Sequence, residues 1–259
     1  MKILSSLMRA VLLGSLLGSL GLAHAAMPLG AGVTVVVPGD ANPWLAGMPV
    51  GSSASGDSIP QPPVQLMGLD LSAAGYLSFS GVTGQTSYAG GCPASSCYGA
   101  DGDVSGETDF LGNSPGFINR AWAGYAGGEN GISDVTAPLG SLIGVYLDNS
   151  QPDPGATPGA FDFRVTGLNF STLSPVLNQA FFIGDGLTST GDMQRFMVPV
   201  GATRVYLGTM DGFGWTGNNG ELGVTVMAAV PEPESLALLL GGLALISAVI
   251  RRKDAVKAV

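Results

Sequence analysis

Between its two ends this chain has no lysine and no histidine. Of ten basic residues, Lys2, Arg9, Arg251, Arg252, Lys253 and Lys257 lie in the terminal stretches. Only Arg120, Arg164, Arg195 and Arg204 remain between Ala26 and Val230, and the single histidine, His24, precedes them all. These absences remove Ser-His-Asp and Cys-His nucleophilic sites, Schiff-base lysines and histidine-ligated zinc from the interior. The same interior keeps sixteen acids, so it carries about twelve net negative charges. A surface of that sign repels phosphate backbones and argues against nucleic acid as a partner. No glycine-rich phosphate loop leads from a strand into a helix. The chemistry left to an enzyme is carboxylate-only, for instance a glycosidase pair drawn from Glu107, Asp109, Glu129 or Glu221. The chain is read as non-enzymatic.

Long apolar runs are confined to the ends. Lys2 and Arg9 open the chain, Val11 to Leu22 is apolar, and Ala23-His24-Ala25 has the A-x-A form of a signal-peptidase site. Residues 1–25 are therefore expected to be a secretory signal peptide. At the other end Ser235 to Ile250 is free of charge, a helix of about 24 Å at ~1.5 Å per residue. That is slightly short of a ~30 Å hydrocarbon core. Arg251-Arg252-Lys253 follows at once and would hold that end in the cytoplasm. Pro231 and Pro233 keep the helix from running backwards, leaving a stiff extended joint.

Pro231-Glu232-Pro233, a short apolar helix, then Arg251-Arg252: this closely resembles the PEP-CTERM sorting tail of bacterial exported proteins. The resemblance implies handling by the secretion machinery and by an exosortase, a membrane processing enzyme. It implies a single-pass stage with the C-terminus cytoplasmic, followed by delivery to the cell surface or the extracellular matrix. An ordinary C-terminal anchor after a proline-rich linker is the alternative.

With the ends set aside, residues 26–63 form an irregular leading segment with one β-like run, Val33 to Val37. Residues 64–229 form a single β domain, and 230–259 the tail with a transmembrane helix at about 235–250. Strands are expected at Gly75–Ser80, where Leu77 and Phe79 share a face, and at Leu142–Leu147, Phe161–Val165 and Ala180–Ile183. Others are expected at Gln194–Val198, Thr203–Thr209 and Leu222–Ala228. Gly81 to Gly131 has no such pattern and is expected to be a long functional loop. No amphipathic helix stands out. Short strands, frequent turn residues and 41 glycines give an all-β fold, an antiparallel β-sandwich.

Cysteine is scarce. Cys92 and Cys97 are the only two, with Pro-Ala-Ser-Ser between them. In an exported protein such a pair is expected to form a disulfide that pins one loop, free thiols being the alternative.

The stretch Met210-Asp211-Gly212-Phe213-Gly214-Trp215-Thr216-Gly217-Asn218-Asn219-Gly220 holds the densest set of oxygen donors. Calcium takes six to eight oxygens from carboxylates, amides and carbonyls. Asp211, Asn218 and Asn219 supply such side chains, although Asp-Gly and Asn-Asn-Gly are also common hairpin turns. Met193 to Val226, with Val-Pro-x-Gly-Ala between two strands and then this loop, resembles the LecA-type calcium-dependent galactophilic lectins. The resemblance implies a jelly-roll, galactose-binding-like sandwich. It also implies calcium held by Asp211, the carbonyl of Trp215, Asn218 and Asn219, with one further carbonyl from between Gln85 and Tyr88. In that family two sugar hydroxyls complete the metal, which would set a ligand against Asp211, Gly212 and, from an earlier loop, Asn130. The family's sugar-contacting histidine has no counterpart, since Gly127 or a neighbour falls there, so galactose specificity is not carried over. Trp215, Trp122 and Tyr125 are candidate stacking surfaces or core.

A second acidic loop, Asp101 to Asp109, starts like an EF-hand, but its twelfth position is Gly112 and no helices flank it. It is read as a solvated loop. The expectation is an exported calcium-assisted module that binds an exopolysaccharide or surface glycan. The alternatives are a non-binding structural matrix protein and a carboxylate-only glycosidase.

Overall fold

In the last long strand apolar residues take every second place, Leu222, Val224, Val226 and Ala228, and all four are buried. That period is what a strand with one covered face requires. The computed structural model describes residues 27–28, 32–57, 59–88, 90, 97–104, 116–125, 128–230 and 241–246. In chain order its strands are β1 (Met27–Pro28), β2 (Val33–Pro38), β3 (Val64–Gln65), β4 (Tyr76–Ser87), β5 (Phe117–Ile118), β6 (Val135–Pro138) and β7 (Leu142–Leu147). They continue with β8 (Phe161–Asp162), β9 (Thr172–Leu173), β10 (Ala180–Phe182), β11 (Arg195–Met197), β12 (Arg204–Thr209) and β13 (Asn219–Val230). The one α-helical turn, α1, spans Phe163–Thr166, and short 3-10 turns lie at Pro43–Leu45, Arg120–Ala123 and Trp215–Gly217.

β13 is the spine of the first sheet. One edge pairs antiparallel with β4 from Asn219↔Ser87 to Ala229↔Tyr76, and the other pairs with β2 and then β1. β4 passes to β11, and β11 to β9 in parallel. The second sheet runs β10-β7-β12-β3, all antiparallel. A third, small sheet joins β5, β6 and β8. The sheets are open, and the fold is all-β.

The first two sheets meet through aromatic rings. Phe196 of β11 lies 5.8 Å from Phe181 of β10 and 5.1 Å, edge-on, from Phe79 of β4. The Tyr146 hydroxyl of β7 donates to the Phe196 carbonyl at 3.2 Å. Each such fully buried side chain contributes about 1.5–3 kcal/mol. β7 is buried along its whole length, which explains why its sequence reads as a continuous apolar run without alternation.

Met27–Val230 forms one compact unit, so the leading segment is part of the β domain. β2 pairs with β13 over six residues, and residues 41–46, expected to be irregular surface, are all buried. The Asn42 side chain accepts from the Trp44 amide and starts the 3-10 turn that buries Trp44. The expected long loop after Gly81 also changes: β4 continues to Ser87, and β5 lies within the stretch.

The alternating run Phe161–Val165 is a strand for only two residues. Asp162 accepts from the Arg164 amide at 3.0 Å, a helix N-cap, and Gly167 at φ 75 ends the turn. A local carboxylate overrides the period.

Met1–Ala26 with Pro231–Val259 forms a second unit, of which 241–246 is described and helical. Among the described residues no helix is long and apolar enough to cross a membrane. The signal-peptide site, Pro231, Glu232, Pro233, Arg251, Arg252 and most of the expected span lie outside the described residues.

Candidate metal centre

The β12–β13 connection is short and turns tightly, which folds its oxygen donors inward. Asp211 Oδ1 accepts from the amides of Gly212 at 2.6 Å and Phe213 at 3.3 Å. The Trp215–Gly217 turn then brings the chain back, with the Asn218 amide donating to the Trp215 carbonyl at 2.9 Å. The result sets the Asn218 side chain against the Asp211 carboxylate, to which it hydrogen-bonds.

Both side chains are buried, Asp211 at 5 % exposure and Asn218 at 8 %. Burial pushes the Asp211 carboxyl up to about 6, against the opposing hydrogen bonds from Asn218, Phe213 and Gly212, and the charge of Asp57 adds to the rise. Asn218 Oδ1 is buried and has no hydrogen-bond partner. A desolvated carboxylate beside an unsatisfied amide oxygen is the arrangement a hard cation relieves. The Trp215 carbonyl retains a second lone pair after accepting from Asn218. These residues therefore fit calcium: Asp211 would supply the charge, and Asn218 Oδ1 with the Trp215 carbonyl the neutral oxygens.

Asn219 sits at the open edge, exposed, with Nδ2 donating to the Gly217 carbonyl at 3.1 Å. The stretch expected to give a further carbonyl does run alongside. Ser87 pairs with Asn219, Gln85 with Glu221, and Gly90 donates to the Gly217 carbonyl at 2.8 Å. Ser87 Oγ is a second buried oxygen without a partner.

Other candidates separate from this cluster. Asn130 is the first residue of an Asn-Gly turn between Glu129 and Ile132, both turn residues at positive φ, 54° and 78°. Its amide donates to the Trp44 carbonyl at 3.0 Å, a structural tie. The Gly212 carbonyl accepts from Arg120 Nη1 at 3.3 Å. Trp215 is core rather than a stacking surface: its ring is fully buried, 5.4 Å from Trp44, and Nε1 donates to the Thr209 carbonyl at 3.1 Å. Tyr125 carries the Arg120 guanidinium on its face at 4.7 Å. The Trp122 side chain lies outside the description.

Sequence reasoning gave no role to Phe213 within the loop, nor to Asp57 and Arg120 beside it. Phe213 keeps 44 % of its surface exposed. Asp57 reaches in from the leading segment and accepts from Thr216 N at 2.9 Å and Thr216 Oγ1 at 2.6 Å. Arg120 is fully buried against Trp44, Tyr125 and Trp215, paired to Glu129, with its backbone amide on Asp134 Oδ1 at 3.0 Å. Burial works against its charge, and Glu129, Asp134 and Asp57 offset that. The one signal available was scarcity: Arg120 is one of four cations in the interior.

Among the described residues no cluster of three or more His, Cys, Asp or Glu is placed to hold a metal, so a site here depends on amide and carbonyl oxygens. Glu129 spends Oε2 on Arg120 and Oε1 on Ser55, and Glu107 and Asp109 lie outside the described residues. In the second acidic loop Asp101 borders a pocket of about 360 Å³ with Asn169, Phe182, Asp185 and Thr188. Asp101 Oδ1 accepts from the Asp185 amide at 2.9 Å, and burial raises its carboxyl above the usual range. Cys97 is disulfide-bonded, while Cys92 lies outside the described residues.

The described chain is thus an open all-β protein with an oxygen-lined loop at one hairpin. Its tail carries the PEP-CTERM protein-sorting motif, matched over residues 229–253. That motif implies export, sorting to the surface and an exosortase as processing partner. No curated protein and no solved structure matches the chain.

Proposed function

We propose that this exported protein presents a calcium-assisted carbohydrate-binding module at the cell surface, acting on an exopolysaccharide or surface glycan. The observation that carries the reading is the buried Asp211 carboxylate beside the unpartnered Oδ1 of Asn218. The spacing of Asp211, Trp215, Asn218 and Asn219 supports it, since it resembles that of the LecA-type lectins. Exposed Asn219 and the exposed ring of Phe213 offer a sugar a polar and an apolar contact at the rim. The tail would cross the membrane once, through residues 235–250, until an exosortase processes it.

Burial favours a second reading. Asp211 and Asn218 are so enclosed that the cation would be structural, in a matrix protein that binds no glycan. Calorimetric titration of calcium into the full-length chain, followed by calcium-dependent retention on immobilised glycans, separates the two. Saturable binding lost in Asp211→Ala, with glycan retention abolished by chelator, supports the lectin-like module. Calcium binding without retention leaves the structural site, and no calcium binding leaves the loop as a turn in a structural matrix protein.

A further inference from the structure

We propose that Asp57 is a further ligand of this cation site, its Oδ2 joining Asp211 and Asn218 Oδ1 around one ion. The inference rests on the calcium reading above and adds to it a carboxylate from a distant part of the chain.

The turn before Asp57 is laid on the site loop. A Cβ at Gly56, whose φ is +93°, would stand 3.3 Å from Phe213 Cβ and 3.6 Å from the Gly214 amide nitrogen. Asp57 then fastens to the loop through one oxygen alone, Oδ1, which takes both hydrogen bonds from Thr216. Oδ2 is buried and has no partner. A carboxylate oxygen buried without a donor is costly, and the loop that Asp57 grips holds a second such acceptor in Asn218 Oδ1.

The cation already nearby does not satisfy them. Arg120 feels the charge of Asp57 but makes no hydrogen bond to these oxygens: Nη2 goes to Glu129, Nη1 to the Gly212 carbonyl, and Nε is buried without a partner among aromatic rings. Asp211 and Asn218 Oδ1 on the loop, and Asp57 fastened to it from the leading segment, bring two carboxylates and two unpartnered acceptor oxygens to one place, and a divalent ion bound through oxygens would satisfy them. With Asp57 included, the site gains a second full negative charge, which raises affinity for calcium because ligand charge sets it.

The test uses the full-length chain purified in detergent, with calcium titrated by calorimetry and terbium as a luminescent probe of the same site. Asp57→Asn keeps the Oδ1 acceptor for Thr216 and removes the ligand oxygen, and its melting curve in chelator checks that it folds. The expected result is a calcium affinity weakened roughly tenfold or more. Terbium lifetimes in H2O and D2O should then report about one more bound water than in wild type. Three results overturn the proposal. If Asp57→Asn binds within about twofold of wild type while Asp211→Asn loses binding, Asp57 is not a ligand and the site stands. If affinity falls but the water count does not, Asp57 acts only through its charge and is not a ligand. If wild type binds neither ion, the calcium reading itself has failed.

Discussion

Trp44 and Trp215 pack with their rings tilted 58° to each other, centroids 5.4 Å apart, and the Arg120 guanidinium lies 5.2 Å and 5.3 Å from those two rings. This contact joins the leading segment to the loop that carries Asp211. A fully buried arginine is tolerated there because Glu129 pairs with it and aromatic faces attract it. Arg120→Met should destabilise the protein by about 3–5 kcal/mol, since it strands Glu129 and Asp134 without their cation. Urea unfolding measures it. Glu129→Gln, which keeps the shape of the pair, should cost less.

The second prediction concerns pH. Burial holds Asp211 at about 6, above an ordinary aspartate at 3.8. Below about pH 4 folded and unfolded chains are both protonated there, and no difference arises. Between about 4 and 6 the unfolded chain gives up the proton first, so without calcium Asp211 makes stability fall as pH rises. The full cost by pH 7 is on the order of 3 kcal/mol. Asp211→Asn should remove this slope, because an amide there keeps the acceptor for Gly212 and lets Asn218 turn its oxygen inward. Melting temperatures across pH 4–8 in chelator would show it, and added calcium should raise the wild type at pH 7 but not the variant.

Where β4 and β13 pair, Gly220 has φ 82° and lies opposite Thr86, with the Gln85 carbonyl against it, while Gly84 has φ 87° and lies opposite Leu222, with the Glu221 carbonyl against it. A Cβ at either would collide with the opposing carbonyl oxygen. Gly220→Ala should therefore cost about 2 kcal/mol or more and weaken calcium binding through its neighbour Asn219. Equilibrium unfolding and calorimetry on the same preparation would read both effects.

Cys97 stands directly before Tyr98, which exchanges two backbone hydrogen bonds with Thr86 of β4 at 2.8 Å and 2.9 Å. Cross-linking so short a loop removes little entropy from the unfolded chain. Cys97→Ser should cost about 2 kcal/mol and leave calcium binding near wild type. Unfolding with and without reductant tests this, the variant becoming insensitive to reductant.

For the tail, Arg251, Arg252 and Lys253 close the matched sorting motif. Replacing all three by serine should stop the basic end from being retained in the cytoplasm and block normal processing. Fractionation of expressing cells, with the protein's size read on a blot, would show unprocessed chain accumulating away from the surface.

Much of this protein is set by local chemistry and was therefore open to reading. The run of charges and prolines in the tail identifies the sorting motif without any fold, because that address is written in a short linear stretch. Leu142–Leu147 and Thr203–Thr209 declare themselves as strands by apolar and β-branched content, and Leu77 with Phe79 by period, since each side chain's face follows from the pleat. The spacing of Asp211 and Asn218 likewise needs only one tight loop to bring them together, whereas Asn219 stays exposed on the Gly217 carbonyl.

What tertiary structure decided is what depends on distant partners. Val33–Pro38 became an integral strand, and Trp44 core, because β13 offered a free edge and Trp215 a ring to pack on. Asp57 and Arg120 reached the loop from far along the chain, and nothing in their neighbouring residues announces this. Whether Trp215 faces a sugar or the core was settled by burial on both sides, which composition around it leaves open. Sequence period records how a residue faces its own strand; which surface covers that face is fixed only when the sheets stack.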